Sequence, residues 1–237
     1  MAMNCVLTTL TTPFRSLPMG LIDLLYPPVC EICGEKLAYP AYLVCDDCLD
    51  QVAFKGYSLD TFSIHGDVAL DGAWCLTDFV PVMQQLIHLL KYNRRTRVVE
   101  RLCDFWTSEI SRCLDGVAYD RVAPIPLHPR KARERGYNQV AGLARWLGVY
   151  QNIPLSLDLL ARTRYTTTQT QLNAEKRHSN VSGAFRLNAP VEGMNILLVD
   201  DVLTTGSTAN ACAAVLKATG ARRFDLLTLA TPSQMDA

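Results

Sequence analysis

The sequence predicts an α/β fold, a parallel sheet flanked by helices, preceded by a small module built around four cysteines. Short apolar runs alternate along the chain with segments of helical periodicity, the pattern of strands joined by crossover helices. The run at residues 196–199 is wholly apolar, as expected of a strand buried on both faces of a parallel sheet. Four cysteines in two close pairs precede this pattern. We therefore predict a four-cysteine module at residues 21–55 and a sheet domain at residues 73–232.

The first element is the cysteine module. Of the nine cysteines, four form two Cys-x2-Cys pairs separated by eleven residues: Cys30, Cys33, Cys45 and Cys48. Thiolates at this spacing converge on a tetrahedron without an open position, which is typical of structural zinc. Iron–sulfur ligation is the alternative. We expect a structural zinc site here.

The elements of the sheet domain follow in alternation. We predict a strand over 73–79, a helix over 82–91, a second helix over 97–114, a β-rich run over 121–127 and a helix over 138–147. A helix over 209–219 ends at Gly220, and a last strand covers 224–230.

A long polar connection separates two of these elements, at residues 162–184. Connections of this length without an element of their own are uncommon in compact domains and often carry function. We predict a lid that closes over a ligand and excludes water, and a plain solvated loop is the alternative. Its candidate ligand donors are Arg162, Arg164, Gln169 and Arg177.

Two carboxylates and a hydroxyl-rich loop follow the apolar run at 196–199. Asp200 and Asp201 come at its carboxyl end, where open α/β sheets bind ligands. The loop that leads into the next helix is made of Thr204, Thr205, Gly206, Ser207 and Thr208. A helix N-terminus with a nearby glycine suits a phosphate. Neither the Gly-Lys-Ser/Thr of a P-loop nor the Gly-x-Gly-x-x-Gly of a dinucleotide fold is present in this stretch.

The carboxylates make the ligand more specific. They would repel a phosphate unless they held something else, and sugar hydroxyls and a divalent cation such as Mg²⁺ are suitable because both take oxygen partners. The alternative is an ordinary strand, turn and helix in which Asp and Thr serve as caps. We predict a ligand with a phosphate, a diol and Mg²⁺.

Positive charge is concentrated in the middle of a chain whose net charge is zero. Residues 88–186 carry seventeen Lys and Arg against eight Asp and Glu, an excess that suits a polyphosphate or a nucleic-acid backbone. One basic cluster follows the β-rich run, and we predict an anion-binding loop there for pyrophosphate, with a basic surface turn as the alternative. Its site residues are His128, Arg130, Arg133 and Arg135.

A second basic cluster surrounds Tyr92. Cations beside an aromatic ring suit nucleic acid, whose bases stack and whose phosphates pair, and a basic helix end that complements the dipole is the alternative. The predicted contacts are Lys91, Arg94, Arg95 and Arg97.

No apolar run reaches the eighteen residues that a membrane span needs. Arg15 is the first positive charge, so the sequence does not predict a secretory signal. A reducing compartment suits nine cysteines without a disulfide pattern. We expect a cytoplasmic protein.

Together these motifs resemble the ComF/GntX-type (ComFC) competence proteins, from about residue 21 to residue 230. The resemblance is carried by the four cysteines, Leu90-Lys91-Tyr92, Pro126-Leu127-His128-Pro129-Arg130, Gly183-Ala184-Phe185 and residues 196–208. The last of these is similar to the motif with which type I phosphoribosyltransferases bind PRPP (5-phosphoribosyl 1-pyrophosphate). The resemblance implies a type I phosphoribosyltransferase fold with an N-terminal zinc finger. It also implies that Asp200 and Asp201 hold the ribose hydroxyls, and that residues 204–208 hold the 5-phosphate.

Three functions remain open from the sequence. The resemblance implies a PRPP-binding protein that handles incoming single-stranded DNA in natural transformation. The second is an active transferase that moves the phosphoribosyl group of PRPP to an amine or nucleobase. The third is a scaffold whose zinc finger binds a protein partner, such as a competence helicase or another DNA-processing protein.

Overall fold

A mixed sheet of five strands organises the structure, a computed structural model that describes residues 27–38, 43–58, 70–92, 95–163 and 184–232. The sheet order is β1-β2-β7-β6-β3. Its strands are β1 (Tyr57–Ser58), β2 (Gly72–Asp78), β3 (Arg121–Pro124), β6 (Asn195–Val202) and β7 (Arg223–Thr231). The strands β2, β7, β6 and β3 pair in parallel with their neighbours, as predicted. In contrast, β1 adds an antiparallel edge strand that the sequence did not predict.

The helices and a small hairpin surround this sheet. The hairpin pairs β4 (Leu160–Arg162) with β5 (Phe185–Leu187). The helices are α1 (Asp46–Asp50), α2 (Pro81–Tyr92), α3 (Arg97–Phe105), α4 (Thr107–Leu114), α5 (Pro129–Arg135), α6 (Ala141–Tyr150) and α7 (Ser207–Ala218). The hairpin brackets the predicted lid, of which Arg164, Gln169 and Arg177 lie outside the described residues.

The central strand β6 divides the interior into two layers. Successive side chains of a strand point to opposite faces, so Leu197 and Val199 join one core with α2, α3, α4 and α6. Ile196 and Leu198 join the other core with α7 and the hairpin. All four side chains are buried. This alternation continues along β6 and sets the faces of the polar residues that follow.

The single helix predicted over 97–114 is wrong, because the structure breaks it at Trp106. The backbone there leaves the helical region, with φ −111° and ψ 25°. The indole is buried and meets the Phe54 ring edge to face, with centroids 5.6 Å apart. Apolar periodicity continues across the break, so the sequence pattern does not reveal it.

The cysteine module shares its core with the sheet domain. Val44, Leu49 and Val52 belong to the same buried cluster as residues of α2 and α3. Two ion pairs join the module to the region of α3: Arg95 to Glu31 at 2.9 Å, and Arg101 to Asp46. The module is therefore packed onto the helical layer rather than tethered beside it.

Both edges of the sheet are short or covered. The strand β1 has two residues. Beside β3, Val122 donates its N–H to the oxygen of Pro154 and accepts from the N–H of Ser156, both at 2.9 Å. Within the described part of the chain, no helix has the length and apolar character of a membrane span.

Candidate functional site

Asp200 and Asp201 lie within β6, close to its end at Val202. The sequence placed them just after the strand, and the difference matters because adjacent strand residues face opposite ways. Asp201 is buried on the side of α2, where it contacts Lys91. Asp200 borders the cavity on the side of α7. The two carboxylates therefore approach the carboxyl edge of the sheet from different faces.

The hydroxyl-rich loop forms a small polar cavity beside Asp200. Its volume is about 40 Å³, and all five predicted residues of the loop, 204–208, line it. Gly206 has a φ of +69°, a left-handed conformation that glycine adopts without strain. Ser207 opens α7, and its hydroxyl is 2.8 Å from that of Thr205. A helix N-terminus thus faces a cavity of hydroxyls, the setting that favours a phosphate.

The pKa of Asp200 is raised to about 8. Burial is the largest cause, because it penalises the charged form, and the negative charge of Asp201 is the next. The hydrogen bond from the N–H of Asp201 to Oδ1 of Asp200, 2.8 Å long, acts in the opposite direction. A cation or a pair of hydroxyl donors would relieve this cost.

Asp201 is held by two donors from the helical layer. Nζ of Lys91 lies 2.8 Å from its Oδ2, and Nε2 of Gln139 donates to the same oxygen over 2.9 Å. Gln139 in turn accepts from Arg135. Gln139 is among the residues that carry the family resemblance, but it is absent from the predicted site, because its contact with Asp201 joins residues that are far apart in the sequence.

The predicted basic loop at 128–135 is wrong as a loop, because these residues form the short helix α5. Pro129 occupies its first turn, and Nδ1 of His128 accepts from the N–H of Arg130 over 3.1 Å as a cap. Gly136 ends the helix in a left-handed conformation. His128 therefore has a structural role at the start of α5.

The cations of α5 divide into two groups. Arg130 and Arg133 are exposed, and Arg130 pairs with Glu134 at 2.8 Å on the helix surface. Lys131 and Arg135 are partly buried. The guanidinium of Arg135 also lies over the ring of Tyr92, 5.6 Å from its centroid.

Positive charges from three elements, α2, α5 and β4, lie near the carboxylates. The pKa of Lys131 is lowered first by burial and then by the charges of Arg162, Arg135 and Lys91. The pKa of Arg162 is also lowered by burial, and Asp200 partly offsets this effect. Cations this close together repel one another, and an anion bound between them would relieve the repulsion. This cluster consists of Lys91, Lys131, Arg135 and Arg162. It contains one of the four residues predicted from the 128–135 segment, Arg135, together with Lys91 and the lid residue Arg162, whereas Lys131 was not predicted.

The predicted nucleic-acid contacts have different environments. Lys91 is engaged with Asp201. Arg95 is half exposed and pairs with Glu31, and Arg97 is exposed at the start of α3. Arg94 lies outside the described residues.

The four predicted metal ligands meet at one point, with their sulfur atoms within 4.8 Å of one another. Sγ of Cys30 is 3.8 Å from that of Cys48, and Sγ of Cys33 is 3.7 Å from that of Cys45. A tetrahedron with Zn–S bonds of about 2.3 Å has edges of about 3.8 Å, so the thiol spacing fits such an ion.

One thiol of this cluster ionises more readily than usual. Burial raises the pKa of Cys30, but hydrogen bonds from the backbone of Cys33, Cys45 and Ile32 outweigh it and lower the pKa to about 7. Because the thiolate is the form that binds metal, the cluster can hold a metal such as zinc.

Comparison with known proteins agrees with this arrangement. The phosphoribosyl transferase domain family matches residues 134–235. DNA utilization protein YhgH of Salmonella typhi is 31% identical over 215 residues, covering 82% of this chain and 93% of that protein. Competence protein F of Haemophilus influenzae is 29% identical, covering 86% and 84%. Competence protein ComFC of Bacillus subtilis is 25% identical, covering 84% and 77%. With its phosphoribosyl transferase domain and its N-terminal four-cysteine cluster, this chain belongs to the ComF family that includes these competence and DNA utilization proteins.

Proposed function

We propose that this protein binds PRPP with Mg²⁺ at the carboxyl edge of its sheet and handles single-stranded DNA in the cytoplasm during natural transformation. The observation that carries the proposal is the pairing of two features. A hydroxyl-lined cavity at the N-terminus of α7 suits the 5-phosphate. A cluster of cations near the carboxylates suits the pyrophosphate.

The two carboxylates suit the middle of the same ligand. Asp200 borders the phosphate cavity, and its pKa is raised first by burial and then by the charge of Asp201. The ribose diol would donate hydrogen bonds to it, and Mg²⁺ would neutralise part of the ligand's charge. Asp200 and the surrounding hydroxyls supply the oxygen ligands that Mg²⁺ takes in proteins.

The DNA-handling part of the proposal draws on the relatives and on charge. The names of the relatives refer to competence and DNA utilization. Arg97 and Arg133 are exposed cations, which suits contacts with the phosphates of a single strand. The four clustered thiols favour a reducing compartment with structural zinc.

Calorimetry of PRPP binding with Mg²⁺, with and without a single-stranded oligonucleotide, tests the proposal. We expect binding, and a change of PRPP affinity when the oligonucleotide is present, because two linked sites must affect each other equally. The variant D200N is the matched control, since it keeps the side-chain volume and removes the charge. Absence of PRPP binding to the wild-type protein would contradict the site assignment. Binding that ignores DNA would contradict the linkage.

The cation cluster favours one alternative, an active transferase. An acceptor nitrogen would bond to C1 of the ribose while the bond from C1 to the pyrophosphate oxygen breaks. The pyrophosphate would leave with the electron pair and be stabilised by Lys131, Arg135 and Arg162. Release of pyrophosphate in the presence of an amine or nucleobase, absent in D200N, would favour this function over regulated DNA handling.

A further inference from the structure

The ammonium group of Lys91 lies in the carboxylate site and not on the protein surface. It is the penultimate residue of α2, and its Nζ is 2.8 Å from Oδ2 of Asp201. The side chains of Lys91 and Asp201 are only 25% and 9% exposed. An ion pair this far from solvent depends on its partners, because removing one leaves a buried charge uncompensated.

The surrounding contacts fix where Lys91 can reach. The hydroxyl of Tyr137 donates to the backbone oxygen of Leu90, which ties the end of α2 to the segment after α5. From the same segment, Gln139, which is 3% exposed, donates to Oδ2 of Asp201. Lysine and glutamine therefore contact the same oxygen, Oδ2 of Asp201.

The strand geometry gives the two aspartates different tasks. Asp200 borders the phosphate cavity, whereas Asp201 is reached from the opposite face by α2. Two adjacent carboxylates repel each other and repel a polyphosphate ligand, and a fixed cation on one of them reduces both effects. Lys91 is the cation in contact with Asp201.

We propose that Lys91 is a positioning residue of the PRPP site, which orients Asp201 together with Gln139 and does not contact nucleic acid. This inference rests on the proposed function. It changes the role predicted from the sequence, where Lys91 belonged to a basic cluster for the DNA backbone. Nucleic-acid binding is then left to the exposed cations, including Arg97.

The variants K91M and K91R test this role, with K217M as the matched control. Lys217 is exposed in the last turn of α7, so K217M removes one positive charge far from the N-terminus of that helix. We expect K91M to weaken Mg²⁺–PRPP binding by roughly 10–100-fold, the usual cost of losing a group that orients a ligating carboxylate. K91R should recover part of the affinity, and K217M should bind like the wild type.

Two further readouts separate positioning from other roles. In the unliganded protein, the ¹³C resonance of the Asp201 carboxyl should shift in K91M and stay in place in K217M, which also shows that the variants are folded. Affinity for an oligo-dT strand should keep its salt dependence in K91M, because each lost phosphate contact would reduce the slope by about 0.7.

The outcomes are distinguishable. K91M with wild-type PRPP affinity would overturn the role of Lys91 while leaving the proposed function standing, and a reduced salt slope would identify it as a DNA contact instead. Failure of both the wild type and K217M to bind PRPP would overturn the proposed function, and the role of Lys91 with it.

Discussion

The ends of the parallel strands form an amino edge and a carboxyl edge, which are distinct from the edge strands β1 and β3. Each of these two edges buries aspartates, and the surroundings of the aspartates differ. At the amino edge, Oδ2 of the fully buried Asp225 accepts from the hydroxyl of Tyr119 at 2.6 Å and from Nε of Arg223 at 2.8 Å. The pKa of Tyr119 is raised, first by burial and then by this hydrogen bond. At the carboxyl edge, Asp201 has comparable support from the protein, but Asp200 borders a cavity and its pKa is raised to about 8.

This difference separates a structural carboxylate from a binding one. At the amino edge, a tyrosine and an arginine compensate Oδ2 of Asp225 within the fold, whereas its buried Oδ1 has no hydrogen-bond partner among the described residues. At the carboxyl edge, the protein compensates Asp201 and leaves Asp200 costly to ionise. Binding energy can be gained where the fold leaves such a cost.

The substitution D225N should destabilise the fold strongly. It leaves the partly buried guanidinium of Arg223 without its carboxylate, and breaking a buried pair costs about 3–5 kcal/mol. Urea unfolding measures the loss of unfolding free energy. Affinity for Mg²⁺–PRPP in the folded protein should be unchanged, and a large loss of affinity would contradict the separation of the two edges.

The substitutions D200N and D201N should lower the affinity for PRPP without unfolding the protein. Each removes a charge that the ligand would contact, and we expect PRPP affinity to fall by about 2–5 kcal/mol. Calorimetry gives the affinity, and circular dichroism confirms the fold. If both variants bound PRPP as the wild type does, the carboxyl edge would not be the site.

Removal of metal from the cysteine cluster should affect the carboxyl edge, where we expect PRPP to bind, more than the amino edge. The module packs in the core that contains α2, the helix whose end carries Lys91. We expect chelation to weaken PRPP binding by about tenfold, or about 1.4 kcal/mol. C30S should lower the metal content measured by mass spectrometry and reproduce the effect, whereas C113S is the control outside the cluster. Unchanged metal content in C30S would contradict the zinc assignment.

The last prediction concerns the pH dependence of the unfolding free energy. The pKa of Asp200 is raised from 3.8 to about 8 in the fold, so between these values the unfolded chain has lost a proton that the native state keeps. The contribution of Asp200 to the unfolding free energy therefore falls as pH rises through this window. Without ligand, D200N should be as stable as wild type near pH 3 and more stable by about 1–2 kcal/mol at pH 5, and the difference should grow as pH rises toward 8. Equal stability at all these pH values would show that Asp200 carries no such cost.

The parts of the site that are local in sequence were predictable. An apolar run, two aspartates and a hydroxyl-rich loop follow one another at residues 196–208, and their spacing alone indicates a strand, a phosphate loop and a helix. The confirmed meeting of the four cysteines is local in the same way.

Long-range contacts were not predictable by that route. The pairing of Lys91 with Asp201 depends on how α2 packs against β6, which no short pattern encodes. The helix α5 was missed because its cap is a histidine, an uncommon choice, and the break at Trp106 because periodicity continues through it.

The short and covered edges of the sheet affect how copies of this protein can meet. An open strand edge invites pairing with another chain and leads to aggregation. Here one edge is a strand of two residues, and at the other the backbone of Val122 already bonds to residues 154 and 156. If many copies bound side by side along one DNA strand, they would therefore contact one another through side chains and not through paired strands. Such contacts would separate again when the DNA is removed.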